Sequence, residues 1–167
     1  MNSLAEAINT YKDKGLLIDT NLLLLFFVGL YSRNRIQQFK RTNQFTAQDF
    51  DCLARVIQLF KQVVTTPNVL TEVSNLLGQL PEGIRLPVFQ RFSLGIQHFQ
   101  EQFNPSSELA QESFFPKFGL TDAGIVQSAK GKYLVLTDDF RLAGYLERRG
   151  IDVINFNHLR MPYLFLN

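Results

Sequence analysis

Apolar and polar positions come in short blocks along the chain, and the blocks switch between two periods. Leu16 to Asp19 reads as a strand buried on both faces, because its apolar residues are bounded by Gly15 and the polar triplet Asp19-Thr20-Asn21. Residues 21–32 predict a buried helix, and residues 3–13 a short leading one. Residues 46–61 carry the clearest amphipathic pattern. Phe50, Leu53, Ile57 and Phe60 recur there at helical spacing, behind Thr46 as cap with Asp49 three residues on. Val63-Val64-Thr65 reads as a second strand, and Thr66-Pro67 opens a helix running to about Leu77 and stopped by Gly78.

The stretch 79–120 is the least regular. Pro81, Gly83 and Pro87 predict a break before a helix from about Val88 to Phe103, and Asn104 to Glu108 break the pattern again. Thr121 then caps a helix through Lys130, ended by Gly131. Tyr133–Thr137 is a β-like run, residues 139–149 a helix ended by Gly150, and Ile151–Ile154 a last strand. These last elements form a β-α-β unit. Strands alternating with helices predict one α/β domain over residues 1–167 with a mostly parallel sheet.

That expectation gives meaning to the acids. Asp19 ends the first strand, Glu72 lies on the helix after the second, Asp122 falls in the first turn after Thr121, and Asp138 and Asp139 follow the strand ending at Thr137. Ligands of open parallel sheets bind outside the carboxyl ends of the strands, so these acids converge on one side. Converging carboxylates repel unless a cation neutralises them. Oxygen ligands without His or Cys select a hard ion, Mg²⁺ or Mn²⁺, and such a site suits phosphodiester hydrolysis. Taken singly, Asp122 and Asp138 also suit a helix N-terminus, and Glu72 a solvated face. Asp19 has apolar flanks on both sides and no such structural use, while Asn21 is placed to cap the next helix or to bond the Asp19 carboxylate.

Composition narrows the picture. Hydrophobic residues make up 46% and charged residues 19%, and the net charge of +2 argues for nucleic acid only where basic residues cluster. Arg33, Arg35, Lys40 and Arg41, interleaved with Tyr31 and Phe39, form the best such patch for RNA, and Arg141 follows the last acid pair. Sixteen Phe and no Trp indicate core filling. Cys52 is the one cysteine, which excludes an internal disulfide, fits a reducing compartment and reads as a small buried helix residue. His98, on a presumed helix face, and His158 carry no functional expectation. No signal peptide or membrane span is legible, so the expected location is cytoplasmic. The apolar tail "MPYLFLN" is expected to close the sheet edge or to form a homodimer contact.

The ordered motifs, a strand running into "IDTN", then "TPNVLTEV", "LTDAGIV" and "YLVLTDDF", resemble those of PIN-domain ribonucleases. The resemblance covers roughly residues 15–30, 63–78 and 119–156, and implies a three-layer α/β/α fold with four to five strands. It implies that Asp19, Glu72, Asp122 and Asp139 ligate metal, with Asp138 as the neighbour that competes for the fourth place. Asn21 matches the family's polar residue two places after the first acid, and Thr137 a small hydroxyl orienting water or a phosphate oxygen. The implied activity is a metal-dependent endoribonuclease acting on RNA. The small toxin branch, with an antitoxin protein as partner, enters through size alone. Residues 79–118 depart from that branch as an enlarged helical segment.

Other folds with a strand-end acid fit less well. A haloacid-dehalogenase-like phosphatase needs a second acid where Asn21 stands, and a receiver domain needs its acid pair ahead of the phosphoacceptor strand. The rival from another class is a catalytically silent PIN-like module that binds RNA or protein.

Overall fold

The computed structural model describes residues 4–164, with side chains through Arg160. In chain order its elements are α1 (Leu4–Tyr11), β1 (Leu16–Ile18), α2 (Thr20–Tyr31), α3 (Arg35–Gln38), α4 (Ala47–Gln58), β2 (Val63–Thr65), α5 (Pro67–Leu77) and α6 (Glu82–Ile96). They continue with β3 (Gln100–Glu101), α7 (Ser106–Leu109), α8 (Phe115–Ala129), β4 (Leu134–Thr137), α9 (Phe140–Arg148), β5 (Val153–Asn155) and α10 (Phe156–Leu164). The five strands form one all-parallel sheet in the order β3-β2-β1-β4-β5, flanked by helices. This is the expected α/β class, and its strand order is consistent with a PIN-like topology.

The sheet is built outward from β1. Leu16, Leu17 and Ile18 are wholly buried, as a central strand covered on both faces requires. Leu16 to Ile18 pair with Leu134 to Leu136 on one side, and Leu16 and Leu17 pair with Val63 and Val64 on the other. Immediately after β1 the chain turns into α2, whose Leu22 to Leu25, Phe27 and Val28 are fully buried among α3, α4, α5 and α6. Each such side chain contributes about 1.5–3 kcal/mol relative to exposure. Among the described residues, thirteen Phe take their place beside these aliphatics or packed against the same core. Phe27, for example, meets Phe92 edge-on at 5.0 Å.

Local sequence accounts for most boundaries. Thr46 and Asp49 exchange both bonds of a capping box, at 3.2 and 2.8 Å. Thr66 Oγ1 accepts from the Val69 N–H, with Pro67 in the first turn. Gly131 and Gly150 take positive φ after α8 and α9, where a side chain would be strained.

Five expectations are corrected. α6 begins at Glu82 and runs through Pro87 instead of starting after it. Pro87 forfeits one hydrogen bond, to the carbonyl of Gly83, and the flanking packing of Val88 and Phe92 keeps the helix going. That helix ends at Ile96, short of Phe103, and Gln100–Glu101 instead form the edge strand β3 against Val64 and Thr65. Two polar residues carry no period, so nothing in the sequence marks them as a strand. Thr121 does not cap a helix. α8 starts at Phe115 and is interrupted at Gly119, which takes φ 79° and ψ −175°, and the helix resumes just before Thr121. Cys52 lies on α4 as expected but is only half-buried, and His98 sits in an exposed turn after α6 and not on a helix face.

α10 is tied back to the fold by a buried ion pair. Arg160 donates to Asp49 at 2.9 Å and to the Gln44 carbonyl at 3.0 Å, while its guanidinium lies over the Phe45 ring. The side chains of the apolar tail beyond Arg160, and all of residues 165–167, lie outside the described residues, and with them its expected contact. Among the described residues no helix is long and apolar enough to cross a membrane.

Of the glycines, Gly29 leaves the least room, since a Cβ there would stand 2.2 Å from the Phe50 ring of α4. Gly29→Ala is expected to lower unfolding stability by about 1–3 kcal/mol through overpacking, read as a lower urea midpoint with unchanged slope.

Candidate active site

Four helices, α2, α5, α8 and α9, bring the acids toward one another at the carboxyl edge of the sheet. Asp19 occupies the N-cap position of α2 directly after β1, but its carboxylate makes no capping bond. Its Oδ2 instead accepts a very short hydrogen bond from the Thr137 hydroxyl at the end of β4. Thr137 Oγ1 in turn accepts from the Asp139 N–H at 3.0 Å, so one buried hydroxyl links the first acid to the last. Asp139 caps α9, its Oδ1 accepting from the N–H groups of Arg141 at 2.7 Å and Leu142 at 3.1 Å. That cap role falls to Asp139, not to Asp138.

Glu72, exposed on α5, is gripped by two hydroxyls. Thr20 donates to its Oε2 at 3.0 Å, and Thr121 donates to its Oε1 at 2.6 Å. Thr20 neighbours Asp19 and Thr121 neighbours Asp122, so Glu72 braces the starts of two helices that each carry an acid. Asn21 reaches neither a cap nor Asp19. Its Nδ2 lies 3.4 Å from Asp138 Oδ1, across the cluster.

Electrostatics show which acids lie close enough to feel one another's charge. Burial pushes the Asp19 carboxyl up to about 7; the Thr137 bond opposes this, and the charges of Asp138 and Asp122 add to it. Asp122 rises to about 6 through burial and the charges of Asp139 and Glu72, with Arg141 working the other way. Asp138 is also raised, by burial and by Asp139, against the Asn21 bond and the Arg160 charge. Of the two adjacent acids, the charge of Asp138 is thus felt at Asp19 and that of Asp139 at Asp122.

The basic expectations divide. Arg141 is exposed beside Asp122, with its guanidinium 5.9 Å from the centre of the Phe118 ring. The patch at Arg33, Arg35, Lys40 and Arg41 does not join the acids. It follows the far end of α2, whose 12 residues span about 18 Å from Asp19. Within that patch Arg33 pairs with Asp51, and Arg41 donates to the Gln79 side chain at 2.8 Å.

Several participants were not read from the sequence. The hydroxyls of Thr20 and Thr121 were hidden because their use depends on a glutamate some 50 positions away. Asn157 donates to the Asp138 carbonyl at 2.7 Å and to Asn155 Oδ1 at 3.0 Å, fixing the turn that carries the acid pair. An Asn two residues beyond the last strand was the available signal.

All the candidate donors are oxygen atoms. Among the described residues, no group of three or more His, Cys, Asp or Glu side chains is arranged to hold a metal ion as it stands. No protein-family model matches the chain, and no curated protein matches its sequence.

The raised carboxyls set a pH dependence. A carboxylate with a folded pKa above its unfolded value binds protons more tightly when folded, so its contribution to stability is lost as pH rises from about 4 to 7. Metal-free protein is therefore expected to lose on the order of 2 kcal/mol of stability between pH 5 and pH 8 on account of Asp19. In Asp19→Asn this loss should shrink, as chemical denaturation at the two pH values would show.

Proposed function

We propose that the chain is a Mg²⁺- or Mn²⁺-dependent ribonuclease with a PIN-like active site at the carboxyl edge of its sheet. The observation that carries this reading is Asp19, buried at the end of the central strand, held by Thr137 and opposed by the charges of Asp122 and Asp138. A fold that keeps such carboxylates together calls for a cation. The donor set fits Mg²⁺ well, because that ion keeps several waters and needs only one or two carboxylates. It does not require the closed cage that Zn²⁺ or Ca²⁺ would.

Asp19 and Asp122 would hold the ion, with Asp138 and Asp139 facing them from the turn after β4. When bound, the ion supplies positive charge to a phosphate and acidifies water for attack. The chain's own groups prepare that chemistry. Thr137 and the Thr20 backbone hold the Asp19 carboxylate. Glu72 holds Thr20 and Thr121, and through them the backbone beside Asp19 and Asp122. It is thereby a positioning residue as much as the ligand that the resemblance implies. Arg141 stands beside Asp122 to meet a phosphate oxygen.

A second reading, a PIN-like module that binds RNA or protein without cleaving it, is favoured by the lack of a three-ligand cluster among the described residues. The toxin reading, with an antitoxin or homodimer partner, gains no observation beyond chain size.

End-labelled RNA incubated with the protein should be cleaved with Mn²⁺ and not with excess chelator. Asp19→Asn and Asp122→Asn should each lower the rate by about 10²-fold or more. Glu72→Ala should lower it by about 10- to 100-fold. A folded protein that cleaves no RNA with Mn²⁺ would contradict the nuclease reading, and a thermal shift with Mn²⁺ but no cleavage would favour the silent module.

A further inference from the structure

Among the described residues only two phenylalanines are exposed, Phe103 at 76% and Phe140 at 63%. Both stand at the carboxyl edge of the sheet, on either side of Asp19. Phe103 comes two residues after β3, and Phe140 is the first residue of α9, three after β4. In the strand order β3-β2-β1-β4-β5, the end of β3 is two strands from β1 on one side, and β4 is next to β1 on the other. At the usual spacing between strands, the ends of β3 and β4 are about 14 Å apart.

Both positions are anchored by their neighbours. The Gln102 N–H donates to the Thr65 carbonyl at 2.8 Å, and Asn104 Nδ2 donates to Ser128 Oγ at 2.7 Å, so Phe103 is fixed from both sides. Phe140 follows Asp139, whose N–H is held by Thr137 and whose carboxylate caps α9. Its ring meets His158 edge-on, with centroids 6.1 Å apart, and leaves most of its surface open. Next to it, the guanidinium of Arg141 lies over the half-buried Phe118. Both rings are displayed on fixed backbone at this edge, and a flat exposed ring with a guanidinium nearby suits an unpaired nucleobase.

We infer that Phe103 and Phe140 are base-stacking residues that bind a single-stranded nucleic acid across the acid cluster. A stacked strand advancing about 3.4 Å per nucleotide spans the distance between the two strand ends in about four nucleotides. The substrate class is then an unpaired strand, since paired bases offer no free face to the rings. The assignment of Asp19 and Asp122 to the cleavage step rests on the function proposed above, whereas the stacking is tested by binding alone.

The experiment measures fluorescence anisotropy with the Asp19→Asn chain, so that cleavage does not intrude. The probes are a labelled oligouridine of about twelve nucleotides, an abasic strand of the same length and a duplex. The oligouridine should bind more tightly than either of the others. Phe103→Ala and Phe140→Ala should each weaken oligouridine binding about tenfold and leave the abasic strand unaffected. Phe140→Trp should preserve binding, and Phe140→Leu should not. Equal binding of abasic and base-bearing strands, or a Leu variant as good as Phe, would overturn the inference. So would a self-association of the wild type that Phe103→Ala abolishes, because the rings would then serve a protein contact. Loss of base preference in the Phe variants of a chain that never cleaves RNA would sustain the stacking and overturn only the nuclease reading.

Discussion

The Asp19 carboxylate sits at the buried end of the central strand, in contact with the Thr137 hydroxyl and within the field of two other acids. The cost of that placement organises much of its surroundings. Leu16 to Ile18 and Leu22 to Leu25 exclude water on both sides, so Asp19 cannot relax outward. Thr137 satisfies one of its oxygens and simultaneously takes the Asp139 N–H, which locks the turn carrying the acid pair. Glu72, though outside the buried centre, holds the first turns of the flanking helices through Thr20 and Thr121. The result is a fixed frame around charges that oppose one another, and it is this frame on which the proposed cation site rests.

The sheet makes this frame possible. Because every strand is parallel, every connection returns to the amino edge, and each strand offers its carboxyl end to the same side. Asp19, the Asp138-Asp139 pair and the turn fixed by Asn157 share that side by topology alone, while α5 and α8 bring Glu72 and Asp122 to it from outside the strands. The same topology sends the basic residues after α2 to the opposite end of the molecule. Positive charge beside the acids is left mainly to Arg141, so the proposed binding of a nucleic acid rests on a bound cation and on ring stacking more than on a basic surface.

Much of this was legible in the sequence because the relevant signals are local. The buried strand before Asp19, the Thr46–Asp49 capping box, the Thr66-Pro67 start and the β-α-β unit at the end each declare themselves within a few residues. The five acids could be placed on one edge because strand ends and helix starts were both readable. What stayed hidden depends on tertiary context. β3 is two polar residues recruited by an edge that β2 leaves open. The continuation of α6 through Pro87 depends on packing that outweighs one lost hydrogen bond. The restart of α8 at Gly119 depends on a backbone angle, and the hydroxyls on Glu72 depend on where two distant helices begin. Asp139 takes the N-cap of α9, which depends on how the turn after β4 closes rather than on a local signal.

Soaking a crystal in Mn²⁺ and recording anomalous scattering tests the central claim most directly. The account predicts an anomalous peak in direct contact with the Asp19 and Asp122 carboxylates, facing Asp138 and Asp139, and its loss in Asp19→Asn. A well-ordered wild-type crystal with no peak there, or with Mn²⁺ bound only elsewhere, would contradict it.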